Sequence, residues 1–428
     1  MKKSRLIAGS LVAVMSAGLF TGCSFPGTSK DAGSETATET GAELKNSETE
    51  APFDLNDSKN KKKTEEIEKL IDNYFYFDED PEKQEEKYYD GILAGLDDPY
   101  SVYYTKEEYE KLIEDDSGEY YGIGATVTKN VETGVTYVVK PIKNSPAEKA
   151  GVLPGDIFVK VDDTEITTDM DLDAIVKMIR GSKGTKATIE FYRESIKDYV
   201  TIEIERDTVQ NYTVDYEMLD ADIAYIKVEQ FIDNTPEQFK EAVDAVEKQG
   251  AKAIIFDLRN NPGGLVTAVT EMTDYIIDDN ATAKGAEKAG ILLSTKDKEG
   301  NDISKPDCCS DKHSVDLPMA VLVNGNSASA AEIFTGVLRD YGVATIVGEN
   351  TFGKGIVQSV IPLKDGSAIK ITIAKYFIPS GDDIHLKGIA PDVEVPLDES
   401  LKTKVEIAHD EDNQLQAAIK AINEKISK

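Results

Sequence analysis

The apolar and polar positions divide the chain into stretches with different periods. A basic start, MKKSR, leads into the apolar run LIAGSLVAVMSAGLF, which ends at Thr21-Gly22-Cys23. The run is short for a membrane span and its cysteine follows a small residue, which predicts an export signal over residues 1–23. Residues 24–60 are rich in Ser, Thr, Gly, Glu and Ala and nearly free of apolar side chains, which predicts a solvated acidic tether. Residues 61–118 carry helical spacing. Ile67, Leu70, Ile71, Tyr74 and Phe75 fall on one face, expected to enter a core, with an oligomer contact as its other use. A turn at Asp97-Asp98-Pro99 separates two further helices.

From 119 to 206 the period shortens to that of strands, as in YYGIGATVT, TYVVKPI, TKATIEFYR and YVTIEIER. Residues 207–398 alternate strands with helices. AIIFDL and PMAVLVN are apolar on both faces, as central strands of a covered sheet are, and TPEQFKEAVDAVEKQG is a helix stopped by Gly250. This alternation predicts a multidomain α/β chain with an α/β layer core. KAGILLSTKDKEGND reads as a surface hairpin, and 399–428 as a charged helical tail.

Charge narrows the range of partners. Asp and Glu number 80 against 48 Lys and Arg, a net charge of -32, which argues against nucleic acid. The acidity is spread along the chain and serves solubility.

The chemistry concentrates between Asn324 and Gln358. A serine there stands where a buried strand turns into a helix N-terminus, where free N–H groups and the helix dipole favour a developing oxyanion. The loop TFGKG offers Lys354 as its only cation, and a lysine can activate a serine once burial makes it neutral. Helix-capping serines and a solvated lysine fit the same segment equally well, since Ser–Lys pairs have no local spacing rule.

NxNSASAxEI followed by TFGKGxVQ resembles the signature of the carboxyl-terminal processing peptidases, or tail-specific proteases, which are PDZ-containing Ser–Lys endopeptidases. The resemblance implies Ser329 as nucleophile in preference to Ser327, Lys354 as general base, and Gln358 as the side chain that orients the lysine. It implies an oxyanion hole from Ala330 and the Gly263/Gly264 pair of the loop Asn260–Gly264, and a crotonase-like/Clp-protease-like core. Residues 119–206 resemble a PDZ domain whose loop Tyr121-Gly122-Ile123-Gly124 captures a terminal carboxylate while the peptide adds to the sheet edge. The helix DMDLDAIVKMIRG would flank that groove. GLDDPYSVYYTKEEYEKL and the closing KGIxPD at Lys387–Asp392 extend the likeness over roughly Thr64 to Pro396. The signal's end resembles a lipobox that would lipidate Cys23, with Phe20 where leucine is preferred.

The implied protein is an exported, membrane-tethered serine endopeptidase at the extracytoplasmic face of a bacterial membrane. It would act on proteins or peptides with exposed C-termini, would need no cofactor or metal, and would have homo-oligomerisation open to it. An uncleaved signal anchor is the alternative at the N-terminus. A PDZ scaffold without catalysis is the rival function, and His385 is the substitute base if Lys354 is not used. Cys308, Cys309 and His313 read as loop residues. Adjacent cysteines bridge poorly, and no second Cys/His cluster completes a tetrahedral site.

Overall fold

The computed structural model describes residues 54, 56–219, 222–303, 305, 307–310, 312–404 and 407–426. The expected export signal, Cys23 and most of the expected tether lie outside these residues. Residues up to Glu85 and those from Glu86 onward are separate compact units.

In the first unit the helix Ser58–Tyr74 starts at Asp57, whose carboxylate accepts the Lys59 N–H at 2.8 Å. The face expected to enter a core does not do so. No residue of the helix is buried, and Leu70 and Phe75 are 52% and 54% exposed. Helical period predicts an amphipathic face but not what, if anything, covers it.

In the second unit a six-stranded sheet runs in the order Val214–Met218, Ile223–Val228, Ala253–Asp257, Met319–Val323, Ala344–Gly348, Val393–Glu394. The first pair is antiparallel and the others are parallel. The strand Ala253–Asp257 is buried throughout because both its faces are covered. Ile254 and Phe256 pack with Phe239, Met272, Phe334 and Val337 of the helices Thr235–Lys248, Val266–Ile276 and Ala330–Asp340. Ile255 points the other way, to Leu415, Ala418 and Ile422 of the C-terminal helix Asn413–Ile426. An ion pair fixes that helix: Arg259 donates to both carboxylate oxygens of buried Asp412, at 3.0 and 2.7 Å, and also binds Asp257.

A second sheet centres on the strand Ala368–Phe377, which pairs with Ile356–Pro362, Ile291–Lys296 and Val102–Tyr104. Two expectations change here. The strand Ile291–Lys296 turns back at Asp297–Gly300 so that Lys296 faces Asp302, but this hairpin is not a surface one, because Leu292 and Leu293 are buried in the main core. The helical region before residue 118 contains the strand Val102–Tyr104, whose β-favouring Val and Tyr residues find a partner far along the chain.

The 119–206 module has its own core, built from Ile123, Val138, Phe158, Ile179, Ile189 and Phe191. Its sheet runs Ala125–Lys129, Thr136–Pro141, Ile157–Val161, Lys186–Arg193, Asp198–Glu205, so Ala125–Lys129 lies at an edge. The strands Glu119–Gly122 and Asp207–Gln210 pair antiparallel where the chain enters and leaves the module. It is therefore inserted between the strand Val102–Tyr104 and the later strands of the two main sheets.

Candidate active site

Ser329 precedes the helix Ala330–Asp340 with φ 55° and ψ -116°, a positive φ that a non-glycine residue rarely adopts. The surrounding structure holds it there. Its backbone N–H donates to Glu332 Oε2 at 2.9 Å. Upstream, Ala328 N–H bonds Asn261 O at 3.0 Å, and the buried Ser327 hydroxyl donates to Leu258 O at 2.8 Å. Ser327 is thus spent tying two loops together, which leaves Ser329 as the serine at the helix start.

The lysine loop is fixed by the same carboxylate. Glu332 is fully buried and accepts from Gly353 N–H at 2.7 Å, from Lys354 N–H at 2.8 Å and from the Thr351 hydroxyl at 2.5 Å. Tyr376 makes a second link: its buried hydroxyl donates to Lys354 O at 2.6 Å and lies 3.2 Å from Ser329 O. Lys354 is half-buried. Burial pushes its ammonium down to about 8, Lys370 adds to this, and Asp98 and Glu332 oppose it. The side chain of Lys354 lies with Nζ 4.3 Å from the Tyr100 ring centroid.

Gly263 reaches the serine directly. A Cβ there would sit 2.8 Å from Ser329 Cβ and 2.9 Å from Ala330 N, so only glycine fits, and its φ of 100° favours glycine as well. The Gly263 N–H is taken by Asn261 Oδ1 at 2.8 Å. The Gly264 and Ala330 N–H groups have no hydrogen-bond partner among the described residues. Gln358 donates to Thr372 Oγ1 at 3.2 Å, and no hydrogen bond joins it to Lys354 among the described residues. His385 packs its backbone on Gly355, and its buried Nδ1 has no partner among the described residues.

The structure places the expected peptide loop apart from this cluster, within the module. Tyr121 is exposed, Ile123 is buried, and Gly122 packs against Ile179 and Arg180 at the end of the helix Leu172–Ile179. Cys308 and Cys309 are not disulfide-bonded. Among the described residues His313 does not group with them as a possible ligand set, and its ring stacks on that of Tyr275 at 3.7 Å.

Comparison with known proteins decides the class. The model of peptidase family S41 matches residues 222–395, and that of a PDZ domain matches residues 137–193. A probable CtpA-like serine protease of Staphylococcus saprophyticus is 38% identical over 346 residues, which cover 79% of this chain and 67% of that one. The chain belongs to peptidase family S41. A counterpart in Staphylococcus epidermidis is 40% identical over 336 residues, 78% of this chain and 65% of the other. The chain thus spans about two thirds of the length of these relatives. The solved photosystem II D1 C-terminal processing protease is 28% identical and covers 74% of this chain and 82% of its own, with a TM-score of 0.43.

This S41 serine peptidase, with its PDZ domain, has site residues that sequence reasoning missed. Glu332 stands three residues after Ser329, the spacing of a capping box, and that signal was available. Asn261 lies in the glycine loop and Asp98 and Tyr100 in the GLDDPYSVYY stretch, but nothing local marked their roles, and Tyr376 gave no signal, because Asp98, Tyr100 and Tyr376 reach the site through tertiary pairing.

Proposed function

We propose that this S41 peptidase is an endopeptidase that works with a Ser329–Lys354 dyad on proteins delivered by their C-terminal tails. The observation that carries the reading is the Glu332 carboxylate, which holds the backbone N–H groups of both Ser329 and Lys354. A strained serine and a lysine of depressed basicity are thereby fixed against one another's loops.

Neutral Lys354 Nζ takes the Ser329 hydroxyl proton as Oγ attacks the scissile carbonyl carbon. The oxyanion is received by the N–H groups of Gly264 and Ala330, which are unpartnered among the described residues, while Gly263 supplies room and shape. The C–N bond breaks as Nζ returns the proton to the leaving amine. Water then attacks the acyl-enzyme ester, Nζ accepts its proton, and Ser329 Oγ regains that proton on release of the carboxylic acid. Gln358 steadies the lysine's surroundings through Thr372.

The PDZ domain binds the substrate's terminal carboxylate at Tyr121–Gly124, and its open edge strand Ala125–Lys129 takes up the tail as an added strand. Occupancy of that loop gates the core. Export, lipidation at Cys23 and residence at the extracytoplasmic membrane face complete the reading and rest on the N-terminal sequence.

The test is hydrolysis of casein by residues 31–428 of wild type, Ser329→Ala, Ser327→Ala and Lys354→Ala. Loss of activity in the Ser329 and Lys354 variants, with Ser327→Ala retaining some turnover, supports the dyad. Activity surviving in Lys354→Ala moves the role of base to His385. An inactive wild type, even with C-terminal peptides added, favours the scaffold reading.

A further inference from the structure

We infer that Asp98 and Tyr100, in the segment before the PDZ domain, are positioning residues for the side chain of Lys354. The inference rests on the reading of Lys354 as the base.

The register of the strand Val102–Tyr104 on Ala368–Phe377 pairs Val102 with Lys370, and this lays the turn Asp98–Ser101 beside Lys370–Thr372. The turn is tightly built. Asp98 accepts from the Ser101 hydroxyl at 2.7 Å and from the Tyr100 N–H at 3.1 Å, and Ser101 Oγ in turn accepts the Thr372 N–H at 3.2 Å. Thr372 Oγ1 donates to the Asp98 carboxylate at 2.7 Å and accepts the Gln358 amide at 3.2 Å. A chain of polar contacts thus runs from Gln358 through Thr372 to Asp98, and the ring of Tyr100 forms the surface on which the lysine head rests, 4.3 Å from its centroid.

The charged and titratable groups bearing on Lys354 come from three elements: Asp98 and Tyr100 from the turn, Lys370 from the strand Ala368–Phe377, and Glu332 from the helix Ala330–Asp340. Glu332 is already occupied by backbone N–H groups and Thr351. Burial works against the charge of Asp98, but the hydrogen bonds from Ser101, Thr372 and Tyr100 N–H outweigh it and keep the group ionised at neutral pH. Asp98 is hydrogen-bonded too, but of the two carboxylates it bears more strongly on Lys354, so it helps to balance Lys370 and favours the ammonium that forms when the base accepts the serine proton. The aromatic face attracts that same ammonium.

The experiment measures the pH profile of kcat/KM for fluorescently labelled casein with Asp98→Asn, Tyr100→Phe and Tyr100→Leu, with thermal melts as a folding control. Asp98→Asn keeps the shape and removes the charge. Its acid limb should move to lower pH, with a plateau kcat about 10-fold or more below wild type because the base is less well placed. Tyr100→Phe should retain activity and Tyr100→Leu should lose it. A merely structural turn would lower the melting temperature without moving the limb.

If Asp98→Asn fails to fold, Thr372→Val, which cuts the chain between Asp98 and Gln358, should give the same loss in kcat with KM little changed. An unmoved limb in Asp98→Asn together with wild-type activity in Tyr100→Leu overturns the inference. Full activity in Thr372→Val overturns it where Asp98→Asn does not fold. Lys354→Ala separates the two readings: if it is active, the base is wrong; if it is inactive while the Asp98 and Tyr100 variants behave as wild type, only the positioning role is wrong.

Discussion

The buried carboxylate of Glu332 accepts the backbone N–H of Lys354 at 2.8 Å. A single side chain on the helix that follows Ser329 therefore sets the height of the loop that carries Lys354. Glu332→Gln replaces one acceptor oxygen by an NH2 group that would face backbone donors. Each donor left unpaired costs about 1–3 kcal/mol. The variant should melt several degrees lower and hydrolyse casein about 100-fold more slowly, since small misplacements of reacting groups are expensive. Activity near wild type would mean that the loop is held mainly by Tyr376.

The basicity of Lys354 sets a pH dependence of definite sign. Its ammonium titrates at about 8, chiefly through burial, and only the neutral amine can take the serine proton. The kcat/KM for casein should therefore rise with pH through a midpoint near 8 and fall away below it. Lys354→Arg should be inactive throughout, because the guanidinium stays protonated. A profile flat from pH 6 to 9 in wild type would remove the lysine from the role of base.

The Arg259–Asp412 pair predicts a stability effect at a distance from the chemistry. Both side chains are largely buried, and the pair anchors the helix whose Leu415, Ala418 and Ile422 cover one face of the main sheet. Asp412→Ala leaves the guanidinium with Asp257 and Gln414 as its remaining partners. Arg259 keeps a charged partner, so the loss is that of the Asp412 hydrogen bonds, including those it accepts from Gln414 and Leu415 N–H, and costs about 1–3 kcal/mol. A urea melt should show that loss, with the m-value unchanged if unfolding stays two-state.

The neck of the PDZ domain gives a clean place to cut. Gly122 pairs with Asp207 across two adjacent antiparallel strands, so the chain ends left by removing residues 123–206 already face each other. A short glycine turn across this gap should leave the core folded, because the module buries its own hydrophobic cluster. Circular dichroism and a cooperative melt of the excised protein check the fold. Loss of the response to added C-terminal peptides, with casein hydrolysis altered, checks the gating role, and an unchanged response would sink it.

Much of this was readable in residue order. The central strands Ala253–Asp257 and Met319–Val323, the helix after Ser329, and the glycine loop 260–264 each follow from local pattern, because burial on both faces, helical period and positive φ leave marks in adjacent residues. The burial of Leu292 and Leu293 and the strand Val102–Tyr104 were not legible, since a short apolar run looks alike on a surface hairpin and in a core.

The sequence by itself determined which groups could do chemistry: a serine at a strand-to-helix junction, a lysine in a glycine loop, and a family signature that joins them. Tertiary structure alone decided how they are held. It brought Asp98 to Thr372 across 274 positions, gave the hydroxyl of Tyr376 to the segments of both Ser329 and Lys354, and left the Gly264 and Ala330 N–H groups unpartnered among the described residues. Local preferences act over a few residues, whereas these contacts depend on sheet register and layer packing, which form only when distant segments bury their apolar faces together.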